Sequence, residues 1–187
     1  MKKKLNILTI LMLFLPFALF AQEDEAQKEL EEVQKLSQLT QEHYFLRQLE
    51  GNWKLSGINY SNNGEIPLKG KAEISKIMKG HYVDFTFSVE HMAGYSDTKM
   101  IIGYDSRYSV YSLYMIDDML NYATISTGVK QDNKLIFTGK NKFIFYDEEI
   151  EFRIEIDKVK ENKIIYELFF TLDGRENRML KYQLIKK

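Results

Sequence analysis

The chain has 187 residues, of which 44% are hydrophobic and 28% charged, with a formal net charge of −1, three histidines and no cysteine. Without cysteine there is no disulfide to brace the fold and no thiolate for zinc, catalysis or a lipid anchor. No Lys/Arg cluster recurs after Lys4, so a basic face able to displace counterions from phosphate is missing and no nucleic-acid partner is expected.

Lys2, Lys3 and Lys4 precede an apolar run from Leu5 to Phe20, broken only by Asn6, Thr9 and Pro16, and Ala21 leads into an acidic, polar stretch. That order predicts a secretory signal peptide over residues 1–21, cleaved after Ala21, although Leu19 stands where a small residue is usual. The run is shorter than the roughly 20 residues a membrane-crossing helix needs, and Pro16 interrupts it, which disfavours the alternative of an uncleaved anchor. The mature protein is therefore expected to be exported, periplasmic or secreted, with no stable membrane insertion. Loss of the three lysines takes its formal charge from −1 to −4.

Residues 22–42 read as a helical leader or linker. Leu30, Val33, Leu36 and Leu39 recur every third residue and drift around the helix, a stripe that suits loose docking better than the clean heptads of a partner-binding coiled coil. A second short helix is predicted over His43 to Glu50, with Phe45, Leu46 and Leu49 facing inward. From Gly51 the period becomes two. Trp53 and Leu55 alternate with Asn52, Lys54 and Ser56 up to a turn at Asn62-Asn63-Gly64. Lys69 to Met78 follows, and then a strand from Gly80 in which His81, Val83, Phe85, Phe87 and Val89 share one face. Lys99 to Tyr104, Ser109 to Ile116 and Asn121 to Thr127 are three more, separated by Asp105-Ser106-Arg107 and Asp117-Asp118.

Lys134 to Tyr146 fits one strand or a bent pair around Gly139. Beyond it Ile150, Phe152, Ile154 and Ile156 oppose Glu151, Arg153, Glu155 and Asp157. Ile164 to Leu172 continues the pattern, Asp173-Gly174 is a hairpin signal, and Met179 to Ile185 ends the series. Nine or ten strands at hairpin spacing predict an all-β fold, an antiparallel up-and-down barrel spanning residues 43–187. A membrane-spanning barrel would put the charged face of Glu151, Arg153, Glu155 and Asp157 in lipid or the lumen, so the aromatic face is expected inside and the charged face in water.

The segment His43 to Trp53, read as H-x-x-L-x-x-L-x-G-x-W, together with Gly103-Tyr104-Asp105, resembles a bacterial lipocalin-like family of unknown function, the domain of unknown function 1579 family. Gly51-x-Trp53 is also similar to the lipocalin signature, and more weakly the whole resembles nitrobindin-type barrels. The resemblance implies a barrel whose floor is built by Gly51 and Trp53, and it implies no activity, because such barrels hold lipids, pigments, haem or nothing known. Haem-binding relatives hold iron through a late histidine, whereas the last histidine here is His91, so no cofactor is expected.

No catalytic constellation emerges. Gly94-Tyr95-Ser96-Asp97-Thr98 lacks the second glycine of a nucleophile elbow, and Glu148-Glu149 and Asp117-Asp118 read as solvated turns. His43, His81 and His91 have no metal-ligand spacing. His43 is expected beside Trp53, His81 on the apolar face of its strand, and His91 in an exposed loop. The lumen is the remaining candidate site, lined by Phe85, Phe87, Tyr104, Tyr166, Leu168, Tyr182 and His81, either self-filled or open to a small apolar ligand. The alternative function is a structural or interaction module with a packed core and an unknown protein partner.

Overall fold

Alternating apolar and polar side chains favour a half-buried strand, because successive Cβ atoms point to opposite faces. In the computed structural model, which describes residues 25–61, 64–91, 94–118, 122–143 and 146–187, that alternation becomes ten strands. They are β1 (Gly51–Ser61), β2 (Gly64–Ile77), β3 (Tyr82–His91), β4 (Gly94–Asp105) and β5 (Val110–Asp117), then β6 (Thr124–Gln131), β7 (Lys134–Asn141), β8 (Ile150–Lys160), β9 (Lys163–Leu172) and β10 (Arg175–Lys186). Each pairs antiparallel with its neighbours in sequence, and β10 returns to β1, so the meander closes into a barrel. The predicted signal segment, the Asn62-Asn63 pair and Asn121 lie outside the described residues.

Two helical stretches precede the barrel, α1 over residues 25–36 and α2 (Gln41–Arg47), so the predicted leader over 22–42 ends earlier and the second helix, predicted over His43 to Glu50, starts and ends earlier. The chain divides into one unit ending at Gln38 and another, Leu39–Lys187, so α2 belongs with the barrel. Thr40 interrupts the helix because its extended backbone caps α2, where the Thr40 N–H donates to His43 Nδ1 at 3.0 Å.

Face polarity follows the alternation. On β8, Phe152, Ile154 and Ile156 are at most 3% exposed, while Glu151 and Arg153 lie on the outer side. Glu155 is also outward yet buried, under an ion pair to Lys134 at 2.6 Å and another to Arg153. The Asp173-Gly174 hairpin forms as predicted, with φ of 52° and 70°, the left-handed pair that matches strand twist.

Two local departures matter for the site. Met78, Lys79 and Gly80 take φ of 46°, 59° and 95° in a short 3₁₀ turn, so the strand begins at Tyr82 rather than Gly80 and His81 stands before it. On β10, Arg178 pairs with Phe169 and Leu180 with Leu168, which leaves Met179 as an unpaired bulge.

The floor is the most tightly specified end. Gly51 adopts φ 146°, a conformation other residues resist, and a Cβ there would meet Lys186 Cε at 2.6 Å. Trp53 is fully buried above it. It sits opposite Lys186 in the closing pair of strands, and the Lys186 ammonium lies 5.4 Å from the indole centroid while donating to the Glu50 carbonyl at 2.8 Å. Lys158, itself 7% exposed, donates to Gln48 at 2.9 Å and to Glu161 at 2.7 Å, which ties the end of α2 to the β8–β9 hairpin. Trp53→Ala removes the largest floor side chain, so a loss of about 3–5 kcal/mol in unfolding free energy is expected by chemical denaturation. A loss below about 1 kcal/mol would mean the floor does not depend on it.

Candidate functional site

Inward side chains divide the lumen into two halves. Towards the floor, Phe85, Met100, Ile102, Leu113, Phe137 and Ile154 are at most 1% exposed and fill the space. Towards the opposite end the inward positions include Asn59, Ser96, Thr98 and Thr124, which are too short to meet across the barrel, and a cavity opens. Its outer lobe, about 450 Å³, is reached by Leu68, Val89, His91 and Met179. The inner lobe, about 210 Å³, is bounded by Phe87, Met115, Asp117 and Tyr166. Tyr122, Phe143, Leu168, Phe170, Leu180 and Tyr182 line both lobes.

Aromatic rings form the walls. Tyr166 and Tyr182 stack at 5.6 Å and 24°, and Phe87 lies 5.6 Å and 5.8 Å from them. Phe143, just past β7, lies 4.3 Å from Phe170, with Tyr146 at 6.0 Å from Phe170 and Tyr122 at 6.5 Å from Phe143. Burial pushes the Tyr182 hydroxyl up to about 12 and, with Tyr182 beside it, raises Tyr166 too, so both remain neutral donors at physiological pH. Asn141 Nδ2 donates to Thr124 Oγ1 at 2.8 Å and pins the end of β7 to the start of β6.

Of the residues expected in the lumen, Phe87, Tyr166, Leu168 and Tyr182 border the cavity. Phe85 faces inward but belongs to the filled half, 6.1 Å from Phe87. Tyr104 and His81 are corrected: they surround His43 at the floor, with ring centroids 5.7 Å and 5.2 Å away. The 3₁₀ turn explains His81, and Tyr104 lies near the floor end of β4, opposite Tyr111 near the start of β5. His91 and Asp117 are also corrected. Rather than loop and turn, they are the last residues of β3 and β5, half-buried and lining the cavity. Tyr122, Phe143 and Tyr146 were not expected at the site: the predicted strands Asn121 to Thr127 and Lys134 to Tyr146 include them, whereas β6 begins at Thr124 and β7 ends at Asn141, which leaves all three in the flanking connections. Among the described residues no group of three or more His, Asp or Glu is placed to hold a metal ion.

A closed ten-strand meander with a Gly-x-Trp floor beneath a short helix and an aromatic-walled mouth defines a lipocalin-like barrel. Residues 38–186 match the family described as protein of unknown function (DUF1579), and the chain belongs to it. Among curated proteins no sequence matches. Among solved structures, the S-type phycobiliprotein lyase of Guillardia theta is similar, with a TM-score of 0.53 at 8% identity over 80% of this chain and 94% of that one. At that identity the likeness concerns the fold alone.

At the floor, burial and then the neighbouring His81 hold the His43 imidazole below its usual 6.5. His43 is therefore neutral when folded and must lose that stabilising state as pH falls. Its contribution is complete above about 6.5 and disappears as pH drops through the lowered folded value. Thermal midpoints should fall on acidification from about pH 7 to about pH 5, and His43→Gln should flatten that slope. An unchanged slope in the variant would assign the acid sensitivity elsewhere.

Proposed function

We propose that the protein is an exported barrel that holds one small, mainly apolar ligand in the open half of its lumen. The observation that carries this reading is the contrast between a floor half filled to exclusion and a mouth half lined by Phe87, Phe143, Tyr166, Phe170 and Tyr182 around unfilled space. A cavity of a few hundred Å³ with apolar walls and a few convergent hydroxyls is the usual form of a small-molecule site. The charged outward face of β8 supports water around the barrel, and the basic, apolar, alanine-ended N-terminal sequence supports export. The likeness to a phycobiliprotein lyase is compatible with a small guest in the lumen.

The second reading, an interaction module without ligand, draws support from the packed floor half, and the two separate on mass and uptake. Native mass spectrometry of protein recovered after export should give a chain beginning at Gln22 together with a non-covalent adduct that denaturation releases. The uncharged fluorophore N-phenyl-1-naphthylamine should bind the purified protein. Leu168→Trp, which puts a larger ring where the two lobes meet, should weaken that binding by at least about fivefold while leaving the thermal midpoint nearly unchanged. A bare mass combined with no fluorophore uptake would leave the interaction module as the standing reading.

A further inference from the structure

We infer that the inner lobe is built for a flat, uncharged carbonyl compound, an aryl ketone or quinone, whose oxygen is held by the paired phenols of Tyr166 and Tyr182. This inference rests on the ligand-binding reading above and names the class of guest.

The two phenols supply the recognition. Tyr166 on β9 and Tyr182 on β10 stand opposite each other in the ladder, with their rings stacked at 5.6 Å and 24°. The residues are 4% and 9% exposed, yet neither hydroxyl meets a hydrogen-bond partner among the described residues. Elsewhere in the inner lobe Thr124 accepts from Asn141, and Asp117 and Tyr122 each have an interaction of their own. A buried donor without a partner is costly, and nearly all such groups in folded proteins are paired. Both phenols border the inner lobe, so their partner belongs to whatever fills it.

That partner must accept from two donors. A carbonyl oxygen does so through its two lone pairs, and it brings no donor of its own that would then need placing, as an alcohol or amine does. A carboxylate also accepts, but it carries a charge into an apolar lobe. Among the described residues lining either lobe there is no lysine or arginine to offset that charge. Burial keeps both phenols protonated at physiological pH, so they remain donors.

The walls select the shape. Phe143 and Phe170 lie 4.3 Å apart at 31°, and Phe87 lies 5.6 Å from Tyr166, so the lobe presents ring faces and edges to its guest. A flat ring meets such walls in offset or edge contact, and it gives up fewer torsions on binding than an alkyl chain of the same size. Tyr182 lines both lobes, so a substituent on the ring can continue into the outer one.

The test holds the ring constant and changes the head. 2-Acetonaphthone, 2-ethylnaphthalene and 2-naphthoate are titrated against N-phenyl-1-naphthylamine at neutral pH, with 2-dodecanone as the open-chain ketone of equal carbon number. The aryl ketone is expected to displace the fluorophore at a concentration at least about fivefold lower than any of the other three. Tyr166→Phe and Tyr182→Phe each remove one hydroxyl and keep the ring. Each should weaken 2-acetonaphthone about threefold or more, and the double variant about tenfold or more, with 2-ethylnaphthalene and the fluorophore within about twofold of wild type. Should the double variant lose the fluorophore as well, the single variants decide. Tyr146→Phe, the same change at a tyrosine that lines the outer lobe, should leave the ketone within about twofold. The infrared carbonyl stretch of bound 2-acetonaphthone should lie below its position in an apolar solvent and move back in the double variant. 2-Ethylnaphthalene or 2-naphthoate matching the ketone overturns the carbonyl assignment, and 2-dodecanone matching it overturns the ring. Ketone binding unchanged in the Phe variants, or weakened as strongly by Tyr146→Phe, overturns the assignment to Tyr166 and Tyr182. In each of these cases the container reading stands. Failure of the fluorophore and of all four compounds to bind overturns the container reading, and the inference falls with it.

Discussion

The pairing of the first strand with the last is the constraint on which the rest depends. Trp53 opposite Lys186 and Asn59 opposite Leu180 bring β1 and β10 into one ladder, and with that pair formed the sheet has no free edge and every strand acquires an inside. The closing pair is reinforced where it begins. Lys186 covers the indole and reaches the Glu50 carbonyl, the left-handed backbone of Gly51 makes room for it, and Lys158 holds the end of α2 against the neighbouring hairpin. Burial of Trp53, Leu46 and Leu49 then removes the floor from water, so the position of α2 and the sealing of the barrel are one event.

From that sealed end the interior changes character along the barrel axis. Near the floor, inward positions carry Phe, Met, Ile and Leu of a size that meets across the lumen at the close packing normal for protein interiors. Nearer the mouth the inward positions of β1, β4 and β6 become Asn59, Ser96, Thr98 and Thr124, and the large side chains that remain are rings set against the wall in pairs. Side-chain size, graded along the strands, therefore decides where the barrel is core and where it is container.

Much of this was legible in the sequence because it depends on parity. The alternation around Phe152 and Ile154, the Asp173-Gly174 turn and the helix before Gly51-x-Trp53 each specify which face a residue takes, and these features lie as read. Parity is silent about height. His81 and Tyr104 were assigned to the same surface as Phe87 and Tyr166, yet they stand at the other end of the barrel, because height depends on register and on where each strand starts. The local 3₁₀ turn at Met78–Gly80 changes that start for His81. The contribution of Tyr122, Phe143 and Tyr146 was illegible for a different reason: the sequence pattern extends the strands through them, but β6 starts only at Thr124 and β7 ends at Asn141, so they stand in irregular connections. Asp117 resembled a turn residue because it adjoins Asp118, although it is the last member of an alternating strand.

The bulge at Met179 has a consequence for how this chain tolerates change in length. Side chains beyond it, from Arg178 back to Arg175, are offset by one position relative to those from Leu180 onward. Deleting Met179 would restore regular pairing and keep every face, whereas drawing Met179 into the ladder would slide Arg178 opposite Phe170, turning Arg178 and Glu176 towards the aromatic cavity and stripping Arg153 and Phe169 of their outer partners. The irregularity thus acts as a phase marker for the last strand: Met179 carries the one-residue difference between the two halves of β10, and its loss is a change in length that turns no neighbour to the other face.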